Sequence, residues 1–148
     1  MAREIKFRGF SRNKNGKTTI IIDGKKVKGD WVYGDLVNSK ISVFKPTNKF
    51  VVIIESSFMN GGFFAAARKY LAFKSTVGQF TGLHDKNGKE IYEGDVITFN
   101  DSRLTNIVEY REGQYMAKQS GTFGSYIGLG YCDWKKNVEI IGNIHEQS

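Results

Sequence analysis

Cysteine is nearly absent from this chain of 148 residues, where Cys132 stands alone. A single thiol excludes an intrachain disulfide and a cysteine-rich zinc site, and it fits a reducing compartment. Its place between Tyr131 and Asp133, in an apolar segment, reads as a small buried thiol rather than a nucleophile. Histidine is limited to His84 and His145, at a spacing that matches no metal motif. No apolar run approaches the roughly 18 residues that a membrane-spanning helix needs. The opening MAREIKFRGF carries charges where a signal peptide needs an apolar core. A cytoplasmic, soluble protein with no membrane partner is expected. No serine elbow, phosphate loop or zinc pattern occurs, so neither an enzyme nor a cofactor is expected.

Proline is as scarce as cysteine, with Pro46 against seventeen glycines. That balance points to many tight turns between short strands. Aromatic residues make up 14% and hydrophobic residues 40%, which is the composition of a folded chain. A domain of this length buries roughly 68–70% of its unfolded surface and folds without staples. Charge is uneven. Residues 1–49 hold twelve Lys/Arg and four Asp/Glu, a balance of +8, and the remainder is near neutral within a total of +7. Such asymmetry marks either a surface for an anionic partner or a solvated face.

The pattern along the chain is mainly β with one short helix. EIKFRGF opens as a strand, Asn15-Gly16 is placed for a hairpin turn with positive φ, and TTIIID is the return strand. Asp23-Gly24 makes a second turn into the glycine-interrupted strand KKVKGDWVYGDLV. KISVF and KFVVII read as two more strands. The alanine-rich FFAAARKYLAF predicts a helix over about 63–73. NIVEYR, QYMAKQ, SYIGLGYCDW and VEIIGNI complete a series of short strands with barrel or sandwich spacing. Two subdomains are expected, a basic one over 1–75 and a second over 76–148. A faint echo, DGKKVKGDWVY against NGKEIYEGDVITF, suggests duplicated elements.

The run TVGQFTGLHDKNGKEIYEGDVITF, residues 76–99, is the densest in turn residues, aromatics and carboxylates. Glu90, Glu93 and Asp95, with Asp85 across a hairpin, would be the carboxylate cluster of a divalent-cation site. Capping of turns by Asp85 and Asp95 is the favoured reading. Gly82, Gly88 and Gly94 then supply positive φ or close packing, and Phe80, Leu83, Ile91 and Tyr92 the apolar faces. No metal is expected.

This run, with GDWVYGDLV before it, VEIIGNIHE after it and REIKFRGF at the start, resembles the YopX family of phage and prophage proteins. The family motif covers Phe80, Thr81, Gly82, Leu83, Asp85, Gly88, Ile91, Tyr92, Glu93, Gly94 and Asp95. The chain departs from it at His84, where Lys is more usual, at His145, where Tyr is, and over 38–72. The resemblance implies a β-rich protein of a bacterial host cell, with an SH3-like barrel in its C-terminal part and N-terminal hairpins packed against it. It implies no catalytic activity.

Two binding functions follow. A protein-interaction module engaging a host or phage protein, or a second copy, would use strand edges and aromatics such as Tyr110, Tyr115, Tyr126 or Trp134. A nucleic-acid binder would use Arg8, Arg12, Lys14, Lys17, Lys25, Lys26 and Lys28, with Trp31 as a stacking platform, although a Trp flanked by Val32 and Tyr33 is more often a core residue.

Overall fold

Twelve antiparallel strands order the chain in a computed structural model, which describes residues 4–37, 50–58, 64–100, 103–120, 126–128 and 134–146. They fall into two compact units, one of residues 5–79 and one of residues 1–4 and 80–148. The expected strand KISVF lies outside the described residues.

In the first unit, β1 (Phe7–Arg12), β2 (Thr18–Ile22) and β3 (Lys25–Val37) do not form the expected succession of hairpins. Asp23-Gly24 does make a tight two-residue turn, with φ of 50° and 74°, and it pairs Ile22 with Lys25. Positive φ at both positions is the type I′ geometry that Asp-Gly favours. Asn15-Gly16 behaves otherwise. β1 pairs with β3 and not with β2, so Gly29 on β3 faces both Arg12 and Thr18. Gly16 is absent from the positive-φ residues; a Cβ there would lie 2.3 Å from the Gly29 carbonyl oxygen. Contact between two backbones, not a left-handed turn, is what requires glycine.

β4 (Phe50–Phe58) and β5 (Phe64–Phe73) follow. The helix expected over 63–73 is therefore a strand, paired with β4 from Phe50↔Phe73 to Phe58↔Phe64. Helix propensity differs by well under 1 kcal/mol per ordinary residue, and a full ladder with a buried face overrides it. Ala72 is fully buried beside Ile53 and Val32, while its neighbour Leu71 is 45% exposed, a period of two. Its small side chain also suits Gly9, whose added Cβ would come within 2.8 Å of the Ala72 methyl.

β1 pairs with β5 as well as β3, so β3, β4, β5 and β1 close a ring of pairings. A second cluster, Phe10, Ile20, Val27 and Phe73, packs on the other side of β1 and β3. A 3-10 turn, Lys74–Thr76, ends this unit. Thr76 is buried there, its Oγ1 accepting from Phe10 N at 2.8 Å and donating to Phe73 O at 2.7 Å. Thr76→Val keeps the shape and strands both backbone groups, so a loss of about 2 kcal/mol is expected. Denaturant midpoints followed by Trp31 fluorescence measure it.

The second unit starts in β6 (Gly78–His84), which pairs from Phe80 onward with β7 (Glu90–Tyr92). β8 (Asp95–Phe99), β9 (Asn106–Arg111), β10 (Gln114–Gln119), β11 (Tyr126–Gly128) and β12 (Val138–Asn143) form a five-stranded sheet in the order β11-β10-β9-β8-β12. That strand set is compatible with the expected SH3-like barrel; pairing between its end strands is not among the described contacts. Ile91, Ile97, Val108, Ala117 and Val138 are its fully buried core. Of the strand read over SYIGLGYCDW, Tyr126–Gly128 is β11, Trp134 instead opens a short α-helix, α1 (Trp134–Asn137), and residues 129–133 lie outside the described residues. The echoed Gly-Asp pairs are not equivalent either: Gly29-Asp30 is inside β3, whereas Gly94, at φ 91°, turns the chain into β8.

Candidate functional site

The motif of residues 76–99 folds as a frame. Asp85 is 2% exposed. Its Oδ1 accepts from Asn87 N and Lys89 N, each at 2.9 Å, and its Oδ2 accepts from Ile140 N at 3.1 Å. Asp95, 1% exposed, accepts from Tyr92 N at 2.8 Å. Thr81 donates to Ile91 O and accepts from Leu83 N, which holds the strand through the bend at Gly82, φ 85°. Gly88 and Gly94 also take positive φ, and Gly94 bonds through N to Val108 O and through O to Ile144 N.

The Asp85 and Asp95 carboxylates therefore point at backbone amides. Glu93 sits in the β7–β8 turn and not on a strand face shared with Asp95. No group of three or more His, Cys, Asp or Glu able to hold a metal occurs among the described residues. His84 is exposed and meets Phe80 edge-on at 5.6 Å, and His145 is half-buried with its backbone N on Asn143 Oδ1. Cys132 lies outside the described residues.

The basic residues of the first unit separate into several groups. Arg8 is not on the surface: it is 7% exposed, with its guanidinium 4.9 Å above the Trp31 ring. Trp31 is half-buried and meets Phe10 edge-on at 5.4 Å, so it is a core contact more than a platform. Lys26 and Lys28 are exposed on β3 and alternate with buried Val27, which puts them on the face away from it. Lys14 and Lys17 are exposed in the loop before β2. That loop is fixed by Asp30, which accepts from Asn13 Nδ2 and Lys17 N.

Arg12 and Lys25 come together elsewhere. They border a cleft of about 730 Å³ whose apolar floor includes Val27, Phe50 and Phe73. Phe50 and Phe73 lie 4.8 Å apart, and the Arg12 guanidinium stands 5.8 Å above the Phe73 ring. Lys74, carried by the 3-10 turn, adds a third cation, and Asp23 is the one carboxylate of the lining. Reading the sequence did not find Phe50, Phe73 and Lys74. The available signal was the spacing Phe73-Lys74, but it was absorbed into a helix that does not form. The cleft can hold an apolar group and satisfy negative charge around it.

In the second unit, the suggested aromatics divide. Tyr110 and Tyr115 meet edge-to-face at 5.1 Å, with Tyr115 packed against the core. Tyr126 carries the Arg111 guanidinium 4.5 Å above its ring and accepts a hydrogen bond from it. The side chain of Trp134 lies outside the description.

No curated protein matches the chain significantly. A family model described as YopX protein, by contrast, covers residues 6–148, nearly the whole length. The chain belongs to the YopX protein family.

Proposed function

We propose that this is a non-enzymatic phage or prophage accessory protein, working in the bacterial cytoplasm as a binding module through protein contacts. The observation that carries this reading is the cleft on the first unit, with its aromatic floor and its three cations, Arg12, Lys25 and Lys74. An acidic segment presenting a bulky apolar side chain fits that chemistry: the side chain leaves water against Phe50 and Phe73 while the rim meets its charge.

Selection from a random peptide library is the direct test. Acidic peptides with one or two large apolar residues are expected, and Arg12→Glu, Lys25→Glu and Lys74→Glu together should weaken them by more than tenfold. Failure to enrich such peptides, or binding indifferent to the triple reversal, would overturn the reading. A second reading, nucleic-acid binding, is favoured by the exposed Lys14, Lys17, Lys26 and Lys28. It requires anisotropy of labelled DNA or RNA to fall steeply with salt. Against it, Arg8 is buried and Trp31 is half-buried, which leaves less of its ring open for stacking.

A further inference from the structure

The two sheets treat their outer edges differently. At β12 the edge is covered by the turn after β6, where Lys86 N donates to Val138 O at 2.8 Å and Asp85 Oδ2 accepts from Ile140 N. At β2 no such cover occurs among the described residues. β2 ends its sheet, paired on one side with β3, and nothing among the described residues pairs with its other side. Its sequence, TTIII, has no charge or proline of the kind that usually blunts an exposed edge. Such an edge is a template for another strand.

The sequence of this edge specifies which strand. Laid antiparallel against itself and centred on Ile20, it sets Thr19 against Ile21 and Thr18 against Ile22, and it brings Lys17, just before the strand, near Asp23 in the turn that follows it. Both ends of the pairing then carry opposite charges, once at each end by symmetry. We infer that β2 pairs antiparallel with β2 of a second copy, about a two-fold axis at Ile20.

The surrounding lysines do not forbid it. Lys28 pairs with Thr19 and Lys26 with Ile21, so Lys28 of one copy lies three strand spacings from Lys26 of the other. At about 4.8 Å each, that is about 14 Å, beyond a physiological Debye length of about 8 Å. A closed two-fold contact uses one surface twice and leaves no further β2 edge to recruit. With only one strand in the interface, association is weak and concentration-dependent. The inference does not depend on the cleft.

Sedimentation of the full chain over a wide concentration range tests it. The wild type should move from monomer towards dimer as concentration rises. Thr19→Glu with Ile21→Glu sets carboxylate against carboxylate twice and should hold the chain monomeric. Thr19→Lys with Ile21→Glu makes the same contacts complementary and should restore the dimer. Circular dichroism checks that both variants fold. Hydrogen exchange of the unaltered chain gives a measurement free of substitutions: the outward-facing β2 amides, those of Thr19 and Ile21, should gain protection with concentration. A wild type that stays monomeric, a dimer that survives the double-glutamate change, or β2 exchange that ignores concentration would each overturn the inference. So would a dimer abolished by the glutamate pair and not regained by the complementary one, as when an acidic peptide is the true partner of this edge.

Discussion

Gly29→Ala is expected to unfold the first unit, at a cost above about 4 kcal/mol, which only a few mechanisms reach. An added Cβ at this position would lie 2.0 Å from the Ser11 carbonyl oxygen and 2.9 Å from Cε1 of Phe10. Neither neighbour can yield. Ser11 is inside β1, paired with Asp30 and Ala72, and Phe10 is fully buried. Gly29 is also where β3 passes from β2 to β1, so a shift there breaks both ladders. Gly82→Ala provides the contrast, because nothing lies within 4 Å of its added Cβ and only its φ of 85° opposes the change. About 1–2 kcal/mol is the cost of a left-handed residue, so this second variant should stay folded. Trp31 fluorescence and tertiary amide dispersion in NMR spectra report the outcome. A native spectrum of Gly29→Ala would refute the steric account.

The same residue shows what can be read from sequence and what cannot. Asp23-Gly24 and Asn87-Gly88 announced their turns because those dipeptides tolerate left-handed backbone wherever they occur. The capping by Asp85 and Asp95 was legible for a similar reason: the turn amides of Asn87, Lys89 and Tyr92 lie within a few residues of them, whereas the bond from Ile140 N, 55 residues from Asp85, was not. Gly16 is required by its approach to Gly29, thirteen residues on, and Gly29 by its approach to Ser11, eighteen residues back, which a local pattern does not encode. Nor does local propensity reveal that FAAARKYLAF lies against β4; pairing with Val51, Val52 and Ile53 decides it. The cleft was missed through that error, since Phe73 and Lys74 reach it only from the end of a strand. Charge was read as one basic surface, while the alternation of β3 sends Lys25 and Lys26 to opposite faces and packing takes Arg8 inside. Composition fixes how many cations there are, and the pleat determines where they go.

Asp85→Ala should cost about 3 kcal/mol, and Asp85→Asn about half of that. The carboxylate accepts three backbone amides, and hydrogen bonds to a charged group contribute roughly 1.5–3 kcal/mol each. They do not add in full, because Asn87 and Lys89 are exposed and their amides can turn to water. Ile140 N has no such recourse: it belongs to β12, beside the turn that covers that edge. Asparagine retains one carbonyl oxygen for the two turn amides, but its NH₂ group would then face Ile140 N, donor against donor. Amide exchange distinguishes the two cases. Ile140 should lose protection in both variants, whereas Asn87 and Lys89 should lose it only in the alanine variant. With the turn loosened, Lys86 N also leaves Val138 O, and the β12 edge becomes available for pairing, so the alanine variant should self-associate more readily. Unchanged Ile140 protection in Asp85→Ala would mean that the motif is not what covers this edge. Loss confined to β12 would mean that the long run around Asp85 is there to finish a sheet, and that binding is left to other surfaces.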